Sequence, residues 1–140
     1  MMKIFRLIIL LAMCNSLPAQ ADDLLDAAKA GDASTALSLI NNDNVNTSDN
    51  TETTVLHWAV FNDQSELVAA LIAAGANVDT TNKYGASPLG EATITGNPAV
   101  IEMLLTAGAD PDASNPEGQT ALMVLARTEN IEAAKILLEH

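Results

Sequence analysis

Residues 54–79 read TVLHWAVFNDQSELVAALIAAGANVD, and residues 87–112, 33 positions on, read SPLGEATITGNPAVIEMLLTAGADPD. Aligned without a gap, Leu56 falls on Leu89, Ala59 on Ala92, Leu71 and Ile72 on Leu104 and Leu105, Gly75 and Ala76 on Gly108 and Ala109, and Asp79 on Asp112. A third copy begins at Thr120, Ala121 and Leu122, again 33 positions on, and runs to Leu137 and Leu138. A fixed period of this length marks a stacked repeat, in which each unit covers a face that its neighbour leaves bare. Leu56, Ala59 and Val60 recur at helical spacing, and so do Leu67, Val68, Leu71 and Ile72. Each run is well short of the roughly 12–15 residues that an isolated helix needs in water, so neither stands alone. The small Ala59 and Ala92 let two antiparallel helices approach closely. Gly75 and Gly108 stand where the second helix must stop, and glycine takes the left-handed cap conformation without a steric penalty. The spacing predicts an all-α solenoid of about four stacked helix-turn-helix repeats.

The first and last of these are atypical. Residues 22–40, DDLLDAAKAGDASTALSLI, form a degenerate first unit, with Leu24, Ala27, Ala28 and Gly31 falling 32 positions before Leu56, Ala59, Val60 and Asp63. Asp22, Asp23, Asp26 and Lys29 make one side of its first helix polar, as a terminal repeat requires. Residues 41–53 are rich in Asn, Thr, Ser and Asp and read as a long loop. Asp43, Asn44, Asn46 and Asp49 give it a calcium-like composition, but the ligand order of a calcium loop with its central glycine is missing. At the other end the chain stops at Leu137, Leu138, Glu139 and His140, before the Gly-Ala that closes the earlier units. Ala133, Ala134, Ile136 and Leu137 are not replaced by polar residues, so the last unit is frayed, incomplete as given, or covered by another chain; the first two are the preferred readings.

The frame T-P-L-H-x-A-A followed by E-V-V-x-x-L-L-x-x-G-A-D resembles the ankyrin repeat. Thr54, Leu56, His57, Ala59, Glu66, Val68, Gly75 and Ala76 match it in one copy, and Pro88, Leu89, Ala92, Gly96, Gly108, Ala109 and Asp110 in the next. The resemblance implies repeats near 22–49, 50–81, 82–114 and 115–140, and a turn-tying structural role for His57. The sequence departs from the frame at Asp63 and Glu129, where the family has glycine between the helices. Gly90 and Met123 stand where it has histidine, and Gly90 should loosen its unit. Asn97 and Pro98 also depart from it, but they supply a good N-cap and first helical residue.

Residues 1–21 are of another kind. Lys3 and Arg6 lie among apolar residues, an apolar run covers residues 7–13, and residues 17–21, LPAQA, end in an A-x-A pattern. This is the layout of a secretory leader cut after Ala21, too short to span a bilayer. Loss of Lys3 and Arg6 takes the formal charge from −12 to −14, and loss of Cys14 removes the only cysteine. No disulfide can then form, and the expected location is periplasmic or secreted.

Few residues carry chemistry. His57 and His140 are the histidines, and only Lys29, Lys83, Arg127 and Lys135 are basic beyond the leader. No metal, cofactor or catalytic motif is present, and Asp110 and Asp112 sit on a solvated loop tip rather than in an expected pocket. The charge repels nucleic acid. No membrane contact is expected after leader cleavage.

The resemblance therefore implies a non-catalytic protein-binding module that works through the concave groove and loop tips; the leader places it outside the cytoplasm, and a monomer is expected. Its variable positions map onto Asn50, Thr51, Thr53, Phe61 and Asn62, then Lys83, Tyr84, Ala86, Ile94 and Thr95, then Pro116, Glu117, Gln119, Arg127 and Thr128. Tyr84 and Phe61 are the aromatic anchors among them, with Trp58 beside. The acidity favours a basic partner. A helper of an exported enzyme and an immunity-type inhibitor of a toxic effector are the roles considered within this class; a metal-responsive regulator or an enzyme is the rival class.

Overall fold

The computed structural model describes residues 20–140. The leader expected over residues 1–21 lies outside the described residues, except for its last two, which fall in the first helix. Among the described residues eight helices follow in pairs: α1 Gln20–Ala30 and α2 Ala33–Leu39, α3 Val55–Phe61 and α4 Ser65–Ala73, α5 Pro88–Thr95 and α6 Pro98–Thr106, α7 Ala121–Arg127 and α8 Ile131–Glu139. The first helices α1, α3, α5 and α7 pack in series, as do the second helices α2, α4, α6 and α8, and each pair also packs on itself. Among the described residues the only strand-like pairings are two isolated bridges, Ser48 with Thr54 and Ser114 with Thr120, which close loops. The expected all-α solenoid is the fold.

The core runs as one spine through all four units. Leu24, Leu56, Leu67, Leu71, Ile101, Leu104 and Leu125 are among its fully buried side chains. Burying one such residue contributes about 1.5–3 kcal/mol, which the short helices need. Ala59 and Ala92 are fully buried where first helices meet their neighbours.

Six helix starts are closed by a side chain. Thr54, Ser87 and Thr120 cap α3, α5 and α7, their hydroxyls accepting from the backbone N–H three residues on. Asp32, Asn97 and Asn130 cap α2, α6 and α8 in the same way. Gln64 makes no side-chain cap to α4; its amide donates to the Gly31 carbonyl of the preceding unit at 2.6 Å. Between paired helices the chain turns through the left-handed region at Gly31, Asp63, Gly96 and Glu129, with φ of 74°, 55°, 73° and 57°. Asp63 is strained there, yet its carboxylate accepts from the Asn97 amide of the next unit at 2.7 Å.

Side-chain amides stitch the units together. Asn62 donates to the Ala28 carbonyl at 2.9 Å, and Asn130 to the Gly96 carbonyl at 2.8 Å, each reaching back one repeat. His57 reaches forward. Its Nδ1 lies 3.2 Å from the Thr54 N–H and 2.8 Å from the Thr54 hydroxyl, while its Nε2 lies 3.0 Å from the Ala86 carbonyl of the next unit. A carbonyl can only accept, so Nε2 carries the proton and Nδ1 accepts: the ring is neutral.

Gly90 occupies the equivalent position one repeat later and has no side chain to make this bridge. A cavity of about 160 Å³ lies there, lined by Gly90, Leu89, Gln119 and Ala121 from the two facing units. Gly90→His should fill it and donate to the Gln119 carbonyl, the equivalent of Ala86. A Cβ at Gly90 meets only the Ser87 hydroxyl, at 3.3 Å, and Thr54 keeps the equivalent cap in the preceding unit with His57 at the matching position. The expected gain is about 1–2 kcal/mol from restored helix propensity and one buried hydrogen bond. Thermal unfolding should show a higher midpoint for Gly90→His than for Gly90→Ala; equal midpoints would show that the imidazole does not fit the cavity.

Candidate functional site

The long loops share one turn. The backbone N–H of Asp49, Asn82 and Asn115 donates to the carbonyl of Thr53, Ala86 and Gln119 respectively, closing three turns at the repeat spacing. In each, the side-chain oxygen of the Asp or Asn accepts from backbone N–H groups inside the turn. The first two turns are joined sideways: the Lys83 N–H donates to the Thr51 carbonyl at 2.9 Å, and its ammonium to the Asn50 carbonyl at 2.6 Å. Turn tips and first helices thus form the two walls of a groove.

Between the second and third units this groove deepens to a hollow of about 370 Å³, with Trp58, Phe61 and Glu91 on the helix wall and Thr51, Asn82 and Tyr84 on the turn wall. Its size falls at the small end of ligand pockets, which run to roughly 300–1,000 Å³. Phe61 and Tyr84 are 59 % and 71 % exposed. Trp58 is half-buried, with its ring 5.9 Å from that of Phe61 at an interplanar angle of 82°, an edge-to-face pair. Its indole Nε1 is buried without a hydrogen-bond partner. Lys29 of the first unit lies with its ammonium 6.0 Å from the Trp58 ring centre and 3.3 Å from the Asp49 carboxylate. Burial pushes the Asp49 carboxyl up, but hydrogen bonds from Thr51 and Thr53, with Lys29 beside it, hold it well below the usual carboxylate range.

The residues expected to bind fall into two sets. Phe61, Ile94 and Arg127 form one row on α3, α5 and α7; all three are exposed, Ile94 at 72 %. Tyr84 shares the hollow with Phe61, whereas Ile94, Glu117 and Gln119 join Tyr84 around the cavity beside Gly90. Lys83 and Glu117 stand exposed on the turn tips. Asn62, Thr95 and Thr128 are committed elsewhere: Asn62 to the Ala28 carbonyl, and the two threonine hydroxyls to the Ala92 and Leu125 carbonyls of their own helices. Gln119 closes its turn through both its backbone and its side chain.

Of the loop residues with calcium-like composition, Asn44 is buried, with its amide donating to the Leu39 carbonyl, and the Asn46 side chain accepts from the Asn77 N–H of the next unit. The Asn44 oxygen accepts from the Asn41 N–H, so both side-chain oxygens build the loop. Among the described residues no three His, Cys, Asp or Glu side chains gather as a metal site, and no helix is long and apolar enough to cross a membrane. Both ring nitrogens of His57 are hydrogen-bonded, so it has no free lone pair to act as a base.

Two features escaped the sequence reading. The Asp49, Asn82, Asn115 series recurs at the repeat spacing and was available as a signal. Glu91 was not, because it stands where the neighbouring units carry Trp58 and Val124.

A family model described as ankyrin repeats, in three copies, matches residues 24–115. No curated protein matches the chain.

His57 links the hollow to stability. Burial lowers its pKa below the ordinary 6.5, outweighing the Ala86 carbonyl and the Asp49 charge, which raise it. The unfolded chain therefore binds a proton at a higher pH than the folded chain, and stability must rise with pH across that interval. The thermal midpoint should fall as pH drops from about 7 to about 5.5, with a slope of at most about 1.4 kcal/mol per pH unit. His57→Gln should start lower and lose this dependence; a variant that keeps the full slope would place its origin in another group.

Proposed function

The chain belongs to the ankyrin-repeat family, whose repeats mediate protein–protein interaction, and from that premise we propose that it is a non-catalytic module holding a partner protein in the groove between turn tips and first helices. The observation that carries this is the exposure of Phe61, Tyr84 and Ile94 along that groove while the core is complete without them. Exposed aromatic side chains set around a hollow are the usual anchors of a protein interface. The leader-like residues 1–21 and the absence of cysteine beyond them support action outside the cytoplasm, in a periplasm or secreted medium. The charge of −12 supports a basic partner, drawn in by long-range attraction.

Partner capture from exported proteins, followed by sequencing of the bound species, tests this reading. Tyr84→Ala should weaken capture by about tenfold or more, as loss of a hot spot does. The same variant should change stability by less than about 0.5 kcal/mol, because the ring lies on the surface. Unchanged capture by Tyr84→Ala and Phe61→Ala together would remove the groove as the binding surface. A captured enzyme that loses its activity in the complex identifies an inhibitor, and one that keeps it identifies a helper.

A further inference from the structure

Glu91 is the one acidic side chain that faces both the groove hollow and the cavity beside Gly90. It lies in the first turn of α5, where a carboxylate suits the positive end of a helix. That placement explains a solvated glutamate but not this one, which is half-buried against Tyr84 and the α3 side of the groove. Among the described residues it accepts no hydrogen bond, and no cation lies within ion-pair distance of it. A carboxylate partly withdrawn from water and left unpaired gains from an opposite charge brought against it. Burial accordingly raises its pKa.

The adjoining step of the groove shows what such a place holds. There Lys29 lies over the Trp58 ring and against the Asp49 carboxylate, so an aromatic face and an acid share one cation. At Glu91 the acid and the aromatic surface recur, with Phe61 and Tyr84 exposed on either wall, but the chain supplies no cation. The position of Lys29 in its own unit is filled by Phe61 and Ile94 in the next two, and the nearby Lys83 donates its ammonium to the Asn50 carbonyl.

We propose that Glu91, Tyr84 and Phe61 form a slot for one basic side chain of the partner protein, arginine in preference to lysine. A guanidinium is planar, stacks on an aromatic face and donates two parallel hydrogen bonds to a carboxylate, whereas an ammonium offers a point charge. This rests on the groove being the binding surface and adds the chemistry that it selects.

Trp58, the only tryptophan in the chain, lines the same hollow and reports on it by its fluorescence. N-acetyl-arginine amide, titrated at low salt, should give a saturable change in the millimolar range typical of so small a ligand. The isosteric but neutral N-acetyl-citrulline amide should bind about tenfold more weakly or not at all. Glu91→Gln should make the two probes alike without lowering the melting temperature. Equal binding of the two probes to the unmodified protein, or an arginine response unchanged in Glu91→Gln, would overturn the slot. Selection of random displayed peptides on the protein separates this from the broader reading. Binders rich in arginine that are lost with Glu91→Gln support the slot. Binders without basic residues that are lost with the paired Phe61→Ala and Tyr84→Ala variant overturn it while leaving the groove standing. Binders indifferent to all three positions overturn both.

Discussion

A helix of seven to nine residues, the length of every helix here after α1, forms too few backbone hydrogen bonds to offset the entropy of nucleating it. Everything else in this molecule answers that constraint. Nearly every helix start carries a hydroxyl, amide or carboxylate cap, and α4 and α6 end at Gly75 and Gly108, whose left-handed conformation returns two N–H groups to the last turn. Caps close the ends but supply no core. That comes from packing α3 on α1 and α5, and α4 on α2 and α6, so that Leu56, Leu67 and Leu71 meet water on no side. Asn62, Gln64, Asn97 and Asn130 then fix the register, each binding the preceding unit where its chain turns.

The same arrangement accounts for the groove. Because the spine buries its leucines without help from the outer row, Phe61, Ile94 and Tyr84 are left on the surface. The turn wall opposite is braced, since the Asp49, Asn82 and Asn115 side chains hold each turn from within and Lys83 ties the first turn to the second. A wall held this way can keep exposed aromatic groups in place before a partner arrives, which lowers the entropy lost on binding. His57 belongs to both systems: it caps α3 within its own unit and fixes the Ala86 end of the turn that carries Tyr84.

The fold was legible because repetition is loud. Thirty-three-residue matches at Leu56 and Leu89, or at Gly75 and Gly108, reflect buried or backbone-constrained positions, where physical chemistry leaves few choices. The groove was legible only in part. Phe61, Ile94 and Arg127 occupy a row that the repeat frame leaves free, and they are exposed. Asn62, Thr95 and Thr128 occupy the next row, but each donates its side-chain hydrogen to a backbone carbonyl, as short polar side chains at helix ends do, even where the residue itself is exposed. Glu91 was hidden for the opposite reason. Nothing in the sequence says that a glutamate among Ala92, Tyr84 and Phe61 will be half-buried and unpaired; that depends on how far α5 sits from α3 once both are stacked.

If stacking rather than individual helix strength holds the chain together, amide hydrogen exchange should show it most directly. Helices α3 to α6, flanked by a unit on each side, should exchange together and most slowly, with α8, which leaves Ile131 and Leu138 exposed, opening first. Independent exchange of each helix pair, or protection in α8 equal to that in α3 to α6, would contradict the account.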